Sequence, residues 1–228
     1  MGHDPPVAAP TVVVEDDAAA RAAREIANRL AAAVEARGRA ALAVSGGSTG
    51  PHLLGALATA GLPWDVIGIW QVDERVAPDG DPARNANQLT GVPGEHHLMP
   101  VTATDLVAAA ADYAAGLPDR FDVVHLGMGP DGHTASWPPG DPVIDSSKAV
   151  DLSQPYQDHV RMTLTPLVVN AATARVALVT GADKAPAVAR WLEGDGAGLP
   201  IARVSPDDTI VVLDPVAAAD LGPNRTNG

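Results

Sequence analysis

The chain reads as an α/β protein built on a mainly parallel sheet with helices on both faces. Several short segments are apolar throughout rather than alternating, the mark of strands buried on both sides. They alternate with alanine-rich segments of helical period, as in repeated strand–helix–strand units. The polar clusters SGGSTG (45–50), DERVAP (73–78), GMGPDGHTAS (127–136) and TGADK (180–184) each follow an apolar run directly. In parallel sheets ligands bind beyond the carboxyl ends of the strands, so these clusters are where function is expected.

Each element has its own signal. TVVV (11–14) is a short buried strand. From Ala18 to Arg37 an amphipathic helix carries Ile26, Leu30 and Val34 four apart, with Gly38 as its stop. A second strand covers 40–44, and the helix after SGGSTG carries Leu53, Leu54 and Leu57. VIGIWQV (66–72) is a strand that runs straight into DER, and 104–115 is a helix. FDVVHLGMG (121–129) is an apolar strand ending in glycines. HVRMTLTP precedes a short helix near 166–173, RVALVTG (175–181) is a strand, and a helix runs from Ala182 to Glu193. TIVVLD (209–214) is the last strand and PVAAADL a closing helix.

Bulk properties narrow the function. With 228 residues, 46% of them hydrophobic, and no Ser/Gly-rich or charged linker, one domain over 1–228 is expected. The absence of cysteine excludes disulfides, thiolate metal sites and thiol catalysis. A net charge of −13 argues against nucleic acid and anionic membranes as partners, while leaving room for a small anion held by local donors. No apolar run reaches the roughly 18 residues of a membrane span. MGHDPPVAAP at 1–10 lacks the basic and apolar regions of a signal peptide, so the expected location is the cytoplasm.

The loops differ in what they offer. SGGSTG has paired glycines, hydroxyls and a helix start, which suit a phosphate, but lacks the lysine of a nucleotide-binding P-loop. Its plain alternative is a strand-to-helix turn with a hydroxyl cap. In DER, Arg75 can grip an anion in two-pronged fashion, with Asp73 or Glu74 as proton acceptor or counter-charge; a surface ion pair is the competing reading. Lys184 sits in the first turn of a helix, where a cation opposes the helix dipole unless an anion binds nearby.

GMGPDG satisfies the G-x-G-x-x-G spacing of a dinucleotide loop, which must run into a helix that receives the pyrophosphate. Here Pro130 lies in the turn, and Pro138, Pro139 and Pro142 follow, which excludes that helix. What remains is a glycine-shaped loop presenting Asp131, His133, Thr134 and Ser136. A histidine titrates near neutrality and can take a proton from water, with a nearby carboxylate to orient it. His96 and His97 lack metal-ligand spacing and read as solvated, and His125, inside an apolar strand, reads as a satisfied core residue. The four tryptophans are scattered and read mostly as packing. Arg161 either reaches the pocket or pairs with an acid.

In order and spacing, SGGSTG, DERVAP, GMGPDGHTAS, RMTLTP and TGADK resemble the family of 6-phosphogluconolactonases and glucosamine-6-phosphate isomerases and deaminases, over nearly the whole chain. The resemblance implies a Rossmann-like sheet with a smaller β element, akin to ribose-5-phosphate isomerase and CoA-transferase domains. It implies hydrolysis of a phosphorylated sugar lactone in the pentose phosphate pathway, without metal or organic cofactor. It implies that Ser45, Gly46, Gly47, Ser48 and Thr49, with Arg75 and Lys184, surround the substrate phosphate, and Arg161 is counted with them as substrate-binding. His133 would be the general base, with Asp73 or Asp131 placing or polarising groups around it. A sugar-phosphate substrate, no nucleic acid or membrane partner, and a monomer or small homo-oligomer are expected.

The chain also departs from the family pattern. Leu-Phe-Pro-Gly is replaced by Trp137-Pro138-Pro139-Gly140, altering the expected wall beside His133, and Arg84 stands before Asn85 where Ser is common, adding a cation near the pocket. The deaminase relatives show Asn-Gly-His and Asp-Glu-Tyr where this chain has Asp131-Gly132-His133 and Asp73-Glu74-Arg75, which favours the lactonase. The alternatives are a deaminase or isomerase and a non-catalytic sugar-phosphate sensor on the same scaffold.

Overall fold

A computed structural model describes residues 9–222. The expectation about a signal peptide falls mostly on residues 1–8, outside the described ones. The strands are β1 (Thr11–Val14), β2 (Ala40–Val44), β3 (Ile67–Gln71), β4 (Asp73–Arg75), β5 (Glu95–His97), β6 (Val123–Leu126), β7 (Val150–Leu152), β8 (Arg161–Leu164), β9 (Ala174–Val179) and β10 (Thr209–Leu213). The helices are α1 (Ala18–Arg37), α2 (Gly50–Ala58), α3 (Leu106–Ala115), α4 (Pro166–Ala171) and α5 (Ala185–Glu193). Seven strands form a wholly parallel sheet in the order β1-β10-β9-β6-β2-β3-β5, and β4-β8-β7 form a small antiparallel one.

The uniformly apolar strands are explained by this arrangement, because both faces of the large sheet are covered. Leu42, Val44, Val123, Val176 and Val212 face α1 and α2, whose Ile26, Leu30, Leu53 and Leu57 are buried against them. Ala41, Ala43, Val124, Leu126 and Ala177 face the other way, toward Trp137, Met162 and Leu164 beneath the small sheet and Val188 and Leu192 of α5. Each fully buried leucine contributes about 1.5–3 kcal/mol by leaving water, and truncating Leu42 to alanine would cost about 2–5 kcal/mol.

The ends of α1 follow from single residues. The Asp17 carboxylate accepts from the amide of Ala20, and Gly38, at φ 74°, turns left-handed and donates its amide to the Val34 carbonyl. Asp122, at the start of β6, accepts from the Ala41 amide at 2.9 Å and from Arg37, tying the helix end to the sheet.

Several expectations need correction. DER is not loop but the antiparallel strand β4, paired with RMTL. Residues 182–184 form a tighter 3₁₀ turn, and α5 begins at Ala185, where Pro186 fits the first helical turn. PVAAADL is a series of turns, at the head of which Asp214 holds the Ala217 and Gly181 amides. His96 and His97 are half-buried in β5, with His97 stacked on Trp70 at 4.0 Å. His125 is fully buried, but neither ring nitrogen has a partner among the described residues, so it is not a satisfied core histidine.

Candidate active site

From β2 the chain proceeds to β3 and β5 on one side, and from β6 to β9 and β10 on the other. β2 and β6 are neighbours, so the strand order reverses between them and a crevice opens above their carboxyl ends. The loops after β2, β6 and β9 meet there, capped by β4 and β8, around a cleft of about 210 Å³. Of the residues expected at the site, Ser45, Gly46, Gly47, Ser48, Thr49, Asp73, Arg75, His133, Arg161 and Lys184 line this cleft, and Asp131 stands behind His133. Among the described residues no helix is long and apolar enough to cross a membrane.

The Ser45–Thr49 loop joins β2 to α2. The amides of Gly46, Gly47, Ser48 and Thr49 take no acceptor among the described residues, and the Ser45 hydroxyl, buried, has none either. A buried polar group without a partner costs roughly 1–3 kcal/mol, and the Ser45 hydroxyl bears that cost among the described residues. Gly46 is required by its neighbour: a Cβ there would lie 2.1 Å from Asn85 Oδ1.

Asn85 is a residue that sequence reasoning missed. Its Oδ1 accepts from Arg75 Nη1 at 2.8 Å, and its Nδ2 donates to the Asp73 carbonyl at 2.9 Å, so it fixes the Arg75 guanidinium at the cleft wall. Arg75 Nη1 also donates to the Ala83 carbonyl, while its Nε is buried and unpartnered. Across the β4–β8 ladder stands Arg161, whose Nε is likewise buried and unpartnered. Burial and the neighbouring Arg75 pull Arg161 below its usual basicity, with Asp73 opposing them.

Asp73 is buried and accepts from the Ser136 hydroxyl at 2.6 Å. Burial pushes its carboxyl above the usual range, against that bond and the two arginines. It makes no hydrogen bond with His133 among the described residues. Glu74 points the other way, fully buried. It accepts from Gln71, from the amides of Arg75, Asn85 and Ala86, and lies 3.1 Å from Arg84 Nε. Arg84 is therefore not a cation of the pocket. Its guanidinium turns inward to Glu74, the Ala77 carbonyl and Asp79. Trp137 does not form the wall beside His133 either. It is fully buried in the core, its indole N–H donating to the Leu164 carbonyl at 2.8 Å.

The glycines of GMGPDGH frame the histidine. A Cβ on Gly129 would lie 2.0 Å from the His133 ring, so only glycine lets the imidazole settle there. Asp131 Oδ1 is 2.6 Å from His133 Nδ1 and also accepts the His133 amide at 3.1 Å. An ionised carboxylate only accepts, so Nδ1 carries a proton, and in the neutral ring the free lone pair is that of Nε2. Burial acts to raise the Asp131 carboxyl, but the bonds from Tyr156 and His133 outweigh it and hold it below its usual range. Tyr156, also missed in the sequence, donates to Asp131 Oδ2 at 2.8 Å. Lys184 lines the far side of the cleft and pairs with Asp183, which relieves its clash with the α5 dipole.

The profile of the family described as glucosamine-6-phosphate isomerases/6-phosphogluconolactonase matches residues 14–213. The chain belongs to this family. It is 34% identical over 220 residues to a 6-phosphogluconolactonase of Streptomyces coelicolor, covering 82% of this chain and 84% of that one. It is 33% identical to a 6-phosphogluconolactonase of Nostoc, covering 92% and 98%. Among solved structures, a 6-phosphogluconolactonase from Shewanella baltica superposes with a TM-score of 0.80 at 27% identity, over 91% of this chain and 97% of that one. A monomeric glucosamine-6-phosphate deaminase shares the fold with a TM-score of 0.77 at 19% identity, covering 93% and 99%. The parallel sheet with its small antiparallel partner is thus the fold common to both branches of the 6-phosphogluconolactonase and deaminase family.

Proposed function

We propose that the chain hydrolyses 6-phospho-D-glucono-1,5-lactone to 6-phospho-D-gluconate, as the pentose phosphate pathway requires. One observation carries this reading: His133, its Nδ1 locked on Asp131, faces a cleft whose opposite walls hold unpartnered donors from Ser45, Arg75 and Arg161. A base with an open nitrogen and an anion cradle are the two things a phosphorylated lactone needs. The Ser45–Thr49 loop, Arg75, Arg161 and Lys184 hold the phosphate, and the guanidiniums supply charge-assisted bonds.

The phosphate places the lactone carbonyl beside His133. Nε2 takes a proton from water as its oxygen bonds to the carbonyl carbon, and unpaired amides of the glycine loops offer donors to the resulting oxyanion. When the intermediate collapses, the bond from carbon to the ring oxygen breaks and the imidazolium returns its proton to that oxygen. Asp131 keeps the ring oriented and stabilises its cationic form, while Asp73 balances the two arginines. The electrophile is already an activated ester, so one base and positioning suffice without a metal or organic cofactor.

The test is hydrolysis of fresh lactone, coupled to 6-phosphogluconate dehydrogenase, with the spontaneous rate subtracted. His133→Ala should lose about 10²–10⁴-fold in kcat while still binding the phosphorylated product. The unphosphorylated lactone should be a far poorer substrate. Absence of acceleration, or release of ammonia from glucosamine 6-phosphate, would overturn the assignment.

A further inference from the structure

We propose that Tyr156 is a positioning residue for the His133–Asp131 pair, and that with Gln157 it ties that pair to Arg161 across the cleft. The inference rests on the hydrolytic reading above and concerns how its base is held. Asp131 has two oxygens to satisfy. Oδ1 takes the imidazole and the His133 amide, and Oδ2 takes the Tyr156 hydroxyl at 2.8 Å, which also lies 3.2 Å from His133 Nδ1. With both oxygens engaged, the carboxylate cannot rotate away from the ring.

The same tyrosine touches the anion cradle. Its ring meets His133 edge-on, with centroids 5.3 Å apart and an angle of 66°, while the Arg161 guanidinium sits 5.1 Å from its centroid. Gln157 completes the link: its Nε2 donates to the Tyr156 hydroxyl at 3.3 Å and its Oε1 accepts from Arg161 at 3.1 Å. Burial and the bond to Asp131 push the Tyr156 phenol up to about 12, so it stays a donor through the neutral range.

The backbone shows what is spent to place these groups. Tyr156 and His159 exchange both amide-to-carbonyl bonds, at 2.9 and 3.3 Å, closing a two-residue hairpin turn between β7 and β8. Its central residues, Gln157 and Asp158, have φ of 48° and 67°. Such a turn ordinarily uses Asn-Gly, because side chains in the left-handed region are strained. Two non-glycine residues held there beside a candidate catalytic pair mark strain kept where orientation matters.

The experiment compares wild type with Tyr156→Phe and Tyr156→Ala. Phenylalanine keeps the ring against Arg161 and removes only the hydroxyl, so kcat should fall about tenfold with KM within about twofold. Alanine should show the same loss in kcat and raise KM about fivefold as the cation–π contact goes. A substrate-free readout separates positioning from stability: the Nδ1–H proton of His133, bonded to Asp131 with the Tyr156 hydroxyl beside it, is followed by proton NMR in wild type and Tyr156→Phe. With one Asp131 oxygen released, that proton should exchange with water faster and its resonance should broaden in Tyr156→Phe. If wild type fails to hydrolyse the lactone, the functional reading falls, while the Nδ1–H signal still decides the role of Tyr156. A signal unchanged from wild type overturns the inference, whether kcat is unchanged or falls together with thermal stability.

Discussion

Arg75 and Arg161 stand directly opposite each other across the β4–β8 ladder, two guanidiniums with one buried carboxylate, Asp73, two residues from Arg75 on β4. Like charges in that position repel, and each arginine keeps a buried Nε without a partner. On the proposed function, the substrate brings a further anion to this pair beside Asp73. A phosphate dianion supplies acceptors for both. Arg161→Met should therefore leave the ligand-free protein at least as stable as wild type, while raising KM for the phosphorylated lactone about ten- to a hundredfold. The rise in melting temperature produced by 6-phosphogluconate in wild type should be largely lost, and a thermal shift assay reads both effects.

Gly129→Ala tests the histidine's seat. The new Cβ would occupy the space of the imidazole, 2.0 Å from its nearest atom, so the ring must swing off Asp131. Because the change lies in a loop, folding should survive. We expect kcat to fall about a hundredfold with substrate affinity kept, as a displaced base alone would give. Circular dichroism and steady-state kinetics together check the claim.

Arg84→Ala separates the pocket from its foundation. Glu74, fully buried, would lose its charged partner. Breaking a buried pair from one side costs about 3–5 kcal/mol, and in a chain of this size each kcal/mol lowers Tm by about 2–4 °C. A large drop in Tm with KM nearly unchanged at a permissive temperature is the expected result. A rise in KM with stability intact would return Arg84 to the pocket.

His125 predicts an acid sensitivity unrelated to catalysis. Burial pushes its pKa down to about 4 from 6.5, so the folded state resists the proton that the unfolded chain accepts. Its contribution to stability is complete above pH 6.5 and is lost as pH falls toward 4, up to about 3 kcal/mol. His125→Leu, which removes two buried unpartnered nitrogens, should be at least as stable as wild type near pH 7 and lose less stability between pH 6.5 and 4.5. Urea unfolding midpoints at those values decide it.

Much of the architecture was legible because parallel strands advertise themselves. Val123, Val124 and Leu126, or Val176 through Val179, are apolar without alternation since both faces are covered. α1 was readable at both ends because Gly38 must turn left-handed and the apolar period begins at Ala18. The prolines after His133 told correctly that no helix follows that loop. β4 was not legible: three polar residues carry no periodicity, and only pairing with β8 makes them a strand. Arg84 and Asn85 were opaque for a similar reason, since the inward turn of one and the grip of the other on Arg75 depend on a loop's path. Tyr156 reaches Asp131 from 25 residues away through a strained hairpin, and nothing in either segment alone announces the contact.

The strand order has a consequence for biosynthesis. β1 pairs only with β10 among the described strands, and β6, β9 and β10 must all be laid down before that edge closes. During translation β1 therefore waits, its hydrogen-bonding edge unsatisfied, while α1 and β2 behind it already have neighbours. Of the described strands, the last to leave the ribosome is the one that shelters the first, so a nascent chain stalled before Thr209 should expose TVVV to chaperones or to other strands.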